Sequence, residues 1–277
     1  MNRKTSLLAL GAAALFGGQA VAADIPAEKP SGPIAASDPS KDESWIVTVQ
    51  GIGALAPSYP GSARLRPYPF PGLAFRRADE PELFWTPDEG FGLPVVDSSG
   101  FRFGPVANFV FVRGGGPGLH PVGLTHEVGG FFEYTVGDHF RARTELRQGI
   151  DGHHGFVAVL GADVYGGANA VTLSVGPRLN FGDNRYANAY YSVTPFESLE
   201  TGERLPPYRA TGGFTSAGGL ATVRYDFMPQ WYATVYGGLQ RLTGSVGASP
   251  IPNLAGSRDQ FTAGLAISRS FDVRKFW

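Results

Sequence analysis

His139-Phe140-Arg141-Ala142-Arg143-Thr144-Glu145-Leu146-Arg147 puts a charged or basic residue at every odd position and an apolar or small one at every even position. In an extended chain successive side chains point to opposite faces, so this stretch has one polar wall and one apolar wall. A helix would mix the two sets, because its period is 3.6 residues rather than two.

The pattern continues outward. Val171, Leu173, Val175, Leu179 and Phe181 alternate with Ala170, Thr172, Ser174, Gly176, Arg178 and Asn180. Gly219, Ala221, Val223, Tyr225 and Phe227 face a set that includes Thr222, Arg224 and Asp226. Phe261, Ala263, Leu265, Ile267 and Phe271 alternate with Gln260, Thr262, Gly264, Ala266, Ser268 and Ser270. Soluble sandwiches alternate too. These segments, however, match the roughly 9–11 residues of a tilted membrane strand rather than the usual five or six of a soluble one. Small and aliphatic residues occupy the middle of each segment and aromatics its ends, as an interfacial girdle requires.

Twelve segments are expected, near 44–55, 67–76, 82–87, 101–112, 122–135, 139–148, 155–166, 169–181, 186–194, 213–227, 230–241 and 259–271. Pro71, Pro105 and Pro177 fall inside segments, where each removes a ladder donor, so bulges or ends are expected there. Gly137-Asp138 and Gly167-Ala168 read as short turns. The longer connections, 113–121, 195–212 and 243–258, read as loops of the other rim.

Composition agrees. The 277 residues carry 23 Lys and Arg against 24 Asp and Glu, a formal charge of -1. That lacks the basic footprint of a nucleic-acid binder. Charged residues are 17%, below the roughly 25% of soluble domains. Glycine (39) and aromatics (13%) are abundant. The mean hydropathy of -0.08 excludes a bundle of apolar membrane helices. With no cysteine, disulfides, thiolate metal sites, cysteine nucleophiles and a lipid-modified N-terminal cysteine are excluded.

The start reads as an export signal: a basic head Asn2-Arg3-Lys4, an apolar run over 7–16, and the small-x-small motif Ala20-Val21-Ala22. Cleavage is expected after Ala22. Losing Arg3 and Lys4 leaves 21 cations against 24 anions, a charge of -3. No later run of 18 apolar residues follows, so an exported membrane-spanning chain has to be a β-barrel. Residues 23–43, with Pro26, Pro30, Pro33 and Pro39, read as a disordered segment. Residues 44–277 are expected to form one all-β, antiparallel, transmembrane barrel of about 12 strands.

Several ordered blocks carry a family resemblance. They are Gly51-Ile52-Gly53 with Pro57-Ser58-Tyr59-Pro60-Gly61, then Tyr68-Pro69-Phe70-Pro71, then Gly123-Leu124-Thr125-His126-Glu127-Val128-Gly129-Gly130-Phe131-Phe132-Glu133-Tyr134. Arg143-Thr144-Glu145-Leu146-Arg147 running to Gly149 and Gly152-His153-His154-Gly155 follows. Gly176-Pro177-Arg178, Tyr190-Tyr191, Tyr208-Arg209-Ala210-Thr211-Gly212-Gly213 and Ser249-Pro250-Ile251 complete the set. Over roughly 45–277 the chain resembles the MipA/OmpV family of outer-membrane proteins. The resemblance implies a non-enzymatic outer-membrane barrel that scaffolds murein synthesis, joining a lytic transglycosylase to a bifunctional penicillin-binding protein. Other relatives are porin-like or adhesin-like. Outer-membrane lipid and the barrel-assembly machinery are the remaining expected partners. Phe271, Phe276 and Trp277 stand as the insertion signal, with Lys275 where an aromatic is usual.

The polar wall collects Arg102, Glu127, Glu133, Arg141, Arg143, Glu145, Arg147, Arg178, Arg224 and Asp226. Inside a barrel they form either a selectivity lining for polar solutes or a paired network that fills the lumen and holds the wall. Asp151, His153 and His154, flanked by Gly152 and Gly155, read as a tight turn or a loop tip touching a partner. Too few further ligands accompany the two histidines for a metal site. Pro206, Pro207, Tyr208, Ser249 and Pro250 lie in stiff loops that either contact protein or fold over the lumen. No Gly-x-Ser-x-Gly elbow, phosphate loop or dinucleotide fingerprint is present, so neither catalysis nor a cofactor is expected.

Overall fold

Alternation closes into a wall. The computed structural model describes residues 44–78, 84–114 and 118–274. The expected signal peptide, the segment 23–43, Phe276 and Trp277 lie outside the described residues. The strands are β1 (Ser44–Pro57), β2 (Leu65–Arg77), β3 (Phe91–Gly92), β4 (Val96–Ser98), β5 (Phe101–Val110), β6 (Thr125–Val136), β7 (Phe140–Ile150), β8 (Phe156–Ala168), β9 (Val171–Gly182), β10 (Gly213–Met228), β11 (Trp231–Leu242) and β12 (Asp259–Arg274).

They form one 12-stranded antiparallel sheet in the order β2-β1-β12-β11-β10-β9-β8-β7-β6-β5-β3, with β4 also on β5. First and last strands therefore pair, from Ser44 opposite Arg274 to Leu55 opposite Ala263. The sheet is a nearly closed barrel whose path ends at β2 and β3.

The apolar ladders face outward. Val49, Leu146, Leu173, Val175, Val223, Val235 and Leu265 are exposed in mid-wall. Phe156, Phe181, Phe214 and Phe261 mark one edge of this band, and Tyr134, Phe140, Tyr225 and Phe271 the other. An apolar band between two aromatic girdles is the surface of a barrel in a bilayer.

Two expected segments are not strands. Residues 84–86 of the expected 82–87 strand have no ladder partner, and the chain there turns into the lumen. Residues 186–194 are mostly helix: α1 spans Asn184–Tyr191. Asp183 caps it by accepting from the Tyr186 N–H at 2.9 Å. The buried residues Ala187, Tyr190 and Tyr191 are spaced i, i+3, i+4, the helical period rather than the strand period.

The three prolines act as their missing donors dictate. At Pro71 neither the expected bulge nor a strand end occurs: the β1–β2 ladder runs through it unbroken, because its nitrogen faces away from β1. Pro105 lies opposite the gap between β3 and β4. At Pro177 the β8–β9 ladder skips from Gly161/Arg178 to Val164/Val175. The carbonyl of Ala162 accepts there from Arg178 Nη1 at 3.3 Å. A Cβ on Gly176 would stand 1.7 Å from that oxygen, so only glycine fits.

The rims differ. One has short turns around 137–139, 169–170 and 229–230. The other carries 58–64, 111–114, 118–124, 151–155, 183–212 and 243–258, with α1, α2 (Pro195–Glu200), α3 (Gly244–Ala248) and a π-turn (Ile251–Ala255). These connections spring from all round the wall and meet on α1. Val122, Tyr190, Tyr191, Ala210, Leu242 and Val246 form one buried cluster; Val193, Leu205 and Ile251 form another. Arg113 donates to Tyr190 O and His120 O, both at 2.8 Å, and Ser249 Oγ donates to Tyr191 O at 2.6 Å. Segments rooted on opposite sides of a barrel can meet only over its mouth, so they roof the lumen.

Candidate functional site

Five guanidinium groups enter the lumen from β5, β7 and β9: Arg102, Arg141, Arg143, Arg147 and Arg178. The alternation of β7 aims three of them, with Glu145, at the same interior. Unpaired charges there would be costly, so each needs a carboxylate.

The pairs join into one network. Asp97 lies 3.3 Å from Arg102, whose Nη1 donates to Glu133 at 2.9 Å. Glu133 also accepts from Arg143 Nη1 at 3.1 Å. Arg143 Nε donates to Glu145 at 2.9 Å, and Glu145 pairs with Arg147. Arg147 Nε lies 2.9 Å from Glu127, which accepts from Asn108 Nδ2 at 2.9 Å. The guanidinium of Arg143 also stacks 4.0 Å from the centre of the Phe131 ring. A Cβ on Gly92 would press on both groups at 2.9 Å, which keeps that position a glycine.

Residues 84–90 complete the network from inside. Arg141 donates to Phe84 O at 2.9 Å and to Asp163 at 3.0 Å, and it pairs with Glu89. Thr86 Oγ1 donates to Glu89 at 2.6 Å. Arg178 donates to Asp88 at 2.6 Å and to Asp163 at 2.9 Å. On the other side Trp85 packs against a cluster of Ile52, Ala54, Leu220, Tyr236 and Ala266. The insertion thus spans the lumen between a charged half-wall and a less polar one. A cavity of about 470 Å³ lies between it and the roof, reaching Arg147, Tyr186 and Tyr191. Another of about 510 Å³ opens at the short-turn rim around Arg224, Asp226, Met228 and Trp231.

Eight of the ten expected lumen residues belong to this network. Arg224 and Asp226 do not: they pair with each other at 2.7 Å near the short-turn rim, with Arg224 stacked 3.7 Å from the Tyr232 ring centre. Sequence reasoning missed Asp97, Asp163, Asp88 and Glu89. Asp163 shares the lumen parity of β8 and was findable by that signal. Asp88 and Glu89 lie where no period operates.

The expected partner-contact residues divide. Asp151 and His154 are exposed, with φ of 62° and 49°. The turn they make with Gly152 throws His153 inward, which withdraws it from any partner. Its Nδ1 accepts from the Gly155 N–H at 2.9 Å, so Nε2 carries the proton toward Glu127, 3.0 Å away. Ser249 and Pro250 are likewise buried, in the roof. Pro206 and Pro207 are exposed. Tyr208 is half-buried and its hydroxyl donates to Ser245 O at 2.8 Å. Phe271 lies on the outer face under Arg269, 4.6 Å from its ring centre. Among the described residues no group of three or more His, Asp or Glu side chains is placed to hold a metal ion.

A family model described as "MltA-interacting protein MipA" matches residues 51–271. No curated protein matches the chain. Among solved structures, the N-terminal β-barrel domain of Pseudomonas aeruginosa OprF is 11% identical, covering 82% of this chain and 97% of its own, with a TM-score of 0.29. Pseudomonas aeruginosa OccK8 (OprE) is 9% identical, covering 83% and 98%, at a TM-score of 0.30. At these scores the barrel assignment rests on the strand ladders above and not on the likenesses.

Removing one partner of a buried ion pair strands the others. Arg141→Ala is expected to lower the unfolding free energy by about 3–5 kcal/mol, read by urea titration of the refolded barrel.

The roof carries a titrating latch. Burial pushes the Glu197 carboxyl up, but hydrogen bonds from the N–H groups of His120 and Thr194 and from both side chains outweigh it and hold it at about 2, against an ordinary 4.5. A carboxyl held low in the folded state stabilises above its unfolded pKa and loses that contribution as pH falls through the folded one. The protection of the α2 amides against hydrogen exchange, taken relative to the intrinsic rate at each pH, is therefore expected to fall between about pH 4.5 and pH 2. Glu197→Gln should be less protected at neutral pH and lack this acid-dependent loss.

Proposed function

The chain belongs to the MltA-interacting protein MipA family, and from that premise we propose that this outer-membrane barrel holds a lytic transglycosylase at the inner face of the outer membrane. A bifunctional penicillin-binding synthase is gathered by the same assembly, and the barrel itself makes and breaks no bond. The observation that carries the proposal is the occupied lumen: residues 84–90 are locked to Arg141 and Arg178 across it. A barrel filled and roofed in this way offers its neighbours fixed surfaces rather than a passage, which counts against the porin-like alternative.

Bacterial barrels keep their short turns in the periplasm. The docking face is therefore the rim carrying the turns 137–139, 169–170 and 229–230. Its recess of about 510 Å³, with exposed Met228 at the edge and the Arg224–Asp226 pair inside, suits a protruding side chain of a partner. Pro206 and Pro207 lie on the opposite rim and belong to no periplasmic contact.

The test is direct binding of a purified lytic transglycosylase from the same cell to the refolded barrel on a sensor surface. Wild type is expected to bind, Met228→Asp to bind about tenfold more weakly, a loss of about 1.4 kcal/mol, and Pro206→Ala to bind as wild type. No binding by wild type, or loss on the Pro206 side alone, contradicts the proposal.

A further inference from the structure

The wall has a seam. Ala78 N–H donates to Ser44 O at 2.9 Å and Ser58 N–H to Arg64 O at 2.8 Å, so the even positions of β2 bond to β1. The odd positions point their backbone groups the other way, toward β3 and β4. Pro67, Pro69 and Pro71 occupy three successive odd positions and have no N–H to offer. Across the gap, Leu93 N–H donates to Pro105 O at 3.0 Å and Val95 N–H to Phe103 O at 2.9 Å. The even positions there face β2, and one of them is Pro94. Among the described residues no ladder joins β2 to β3 or β4. Inside a bilayer an unpaired N–H is costly, and the prolines remove that cost at three of the edge positions.

A cavity of about 500 Å³ passes through this seam, within the size range of ligand sites. Its outer mouth lies between Leu73 and Phe75 of β2 and Phe91 and Phe109 beyond the gap, all exposed on the outer face. Its inner wall includes Trp85 and Phe131. Arg76 lines it from β2, and the charged groups at its inner end, Asp88, Glu89, Arg102, Glu133, Arg141 and Arg143, are all held in ion pairs, so nothing at that end calls for a charged ligand. An apolar slot opening at mid-wall is surrounded by hydrocarbon.

We propose that this seam is a lateral binding site for a phospholipid acyl chain, which enters from the bilayer between β2 and β3 and lies against Trp85 while its head group stays outside. The inner half of the site is built by the lumen insertion, since Trp85 belongs to it.

The probe is a phospholipid brominated on its acyl chains, which quenches indole fluorescence on contact. The mature chain with Trp45→Phe, Trp231→Phe and Trp277→Phe keeps Trp85 as its sole reporter. A companion with Trp85→Phe in place of Trp231→Phe reports from the lipid-facing side of β11 and verifies insertion. In brominated vesicles Trp85 is expected to lose as large a share of its emission as Trp231 does. Ala74→Phe, which narrows the seam from its inner side, is expected to restore the Trp85 emission and leave Trp231 quenched. Undiminished Trp85 emission overturns the proposal. So does quenching of Trp85 that Ala74→Phe leaves unchanged, or quenching by aqueous acrylamide alone.

Discussion

Arg141 is the constraint on which the interior depends. Its side chain is 2% exposed, one residue into β7 beside the short turn 137–139, and the strand's alternation points it into the lumen. A guanidinium so placed is tolerable only if its donors are met by anions and oxygens. Glu133 and Asp163 come from neighbouring strands, but Glu89 and the Phe84 carbonyl come from the connection after β2. That connection is therefore drawn inside the barrel. The chain re-enters the wall only at Phe91, opposite Ala107, and descends as two short pieces, β3 and β4. A full-length eleventh strand never forms, and β2 remains an edge.

The same constraint shapes what the barrel offers. With Asp88 and Glu89 engaged, the chamber beneath the roof and the recess at the short-turn rim lie on opposite sides of a pinned segment. The roof adds a second closure, built around α1 by Arg113, Ser249 and the buried tyrosines. The proposed scaffold role and the proposed lipid seam draw on the surfaces left over, one on the periplasmic rim and one on the bilayer face.

The wall was legible because its signal is local. Each of the ten long strands repeats the two-residue period, and the parity that made Arg141, Arg143 and Arg147 polar-wall residues is the parity that points them inward. The insertion was not legible. Phe84-Trp85-Thr86 has enough aromatic and β-branched character to pass for a short strand, and its true partners, Arg141 and Arg178, lie more than fifty residues away in sequence. Helix α1 was misread because Tyr190-Tyr191 favours strands in isolation, whereas the Asp183 cap and the i, i+3, i+4 spacing decide the local structure. His153 could be placed in a turn from its flanking glycines, but its inward direction depends on positive φ at Asp151, Gly152 and His154 together, a conformation these residue types permit without requiring it.

The claim that Arg141 and residues 84–90 close the lumen is tested most directly by recording the refolded barrel in a planar bilayer. The account predicts no stepwise conductance for wild type, and discrete openings once Arg141→Ala is combined with Asp88→Ala and Glu89→Ala to release the insertion. Stable openings of the wild-type barrel, or a released variant that stays silent while correctly inserted, would contradict it.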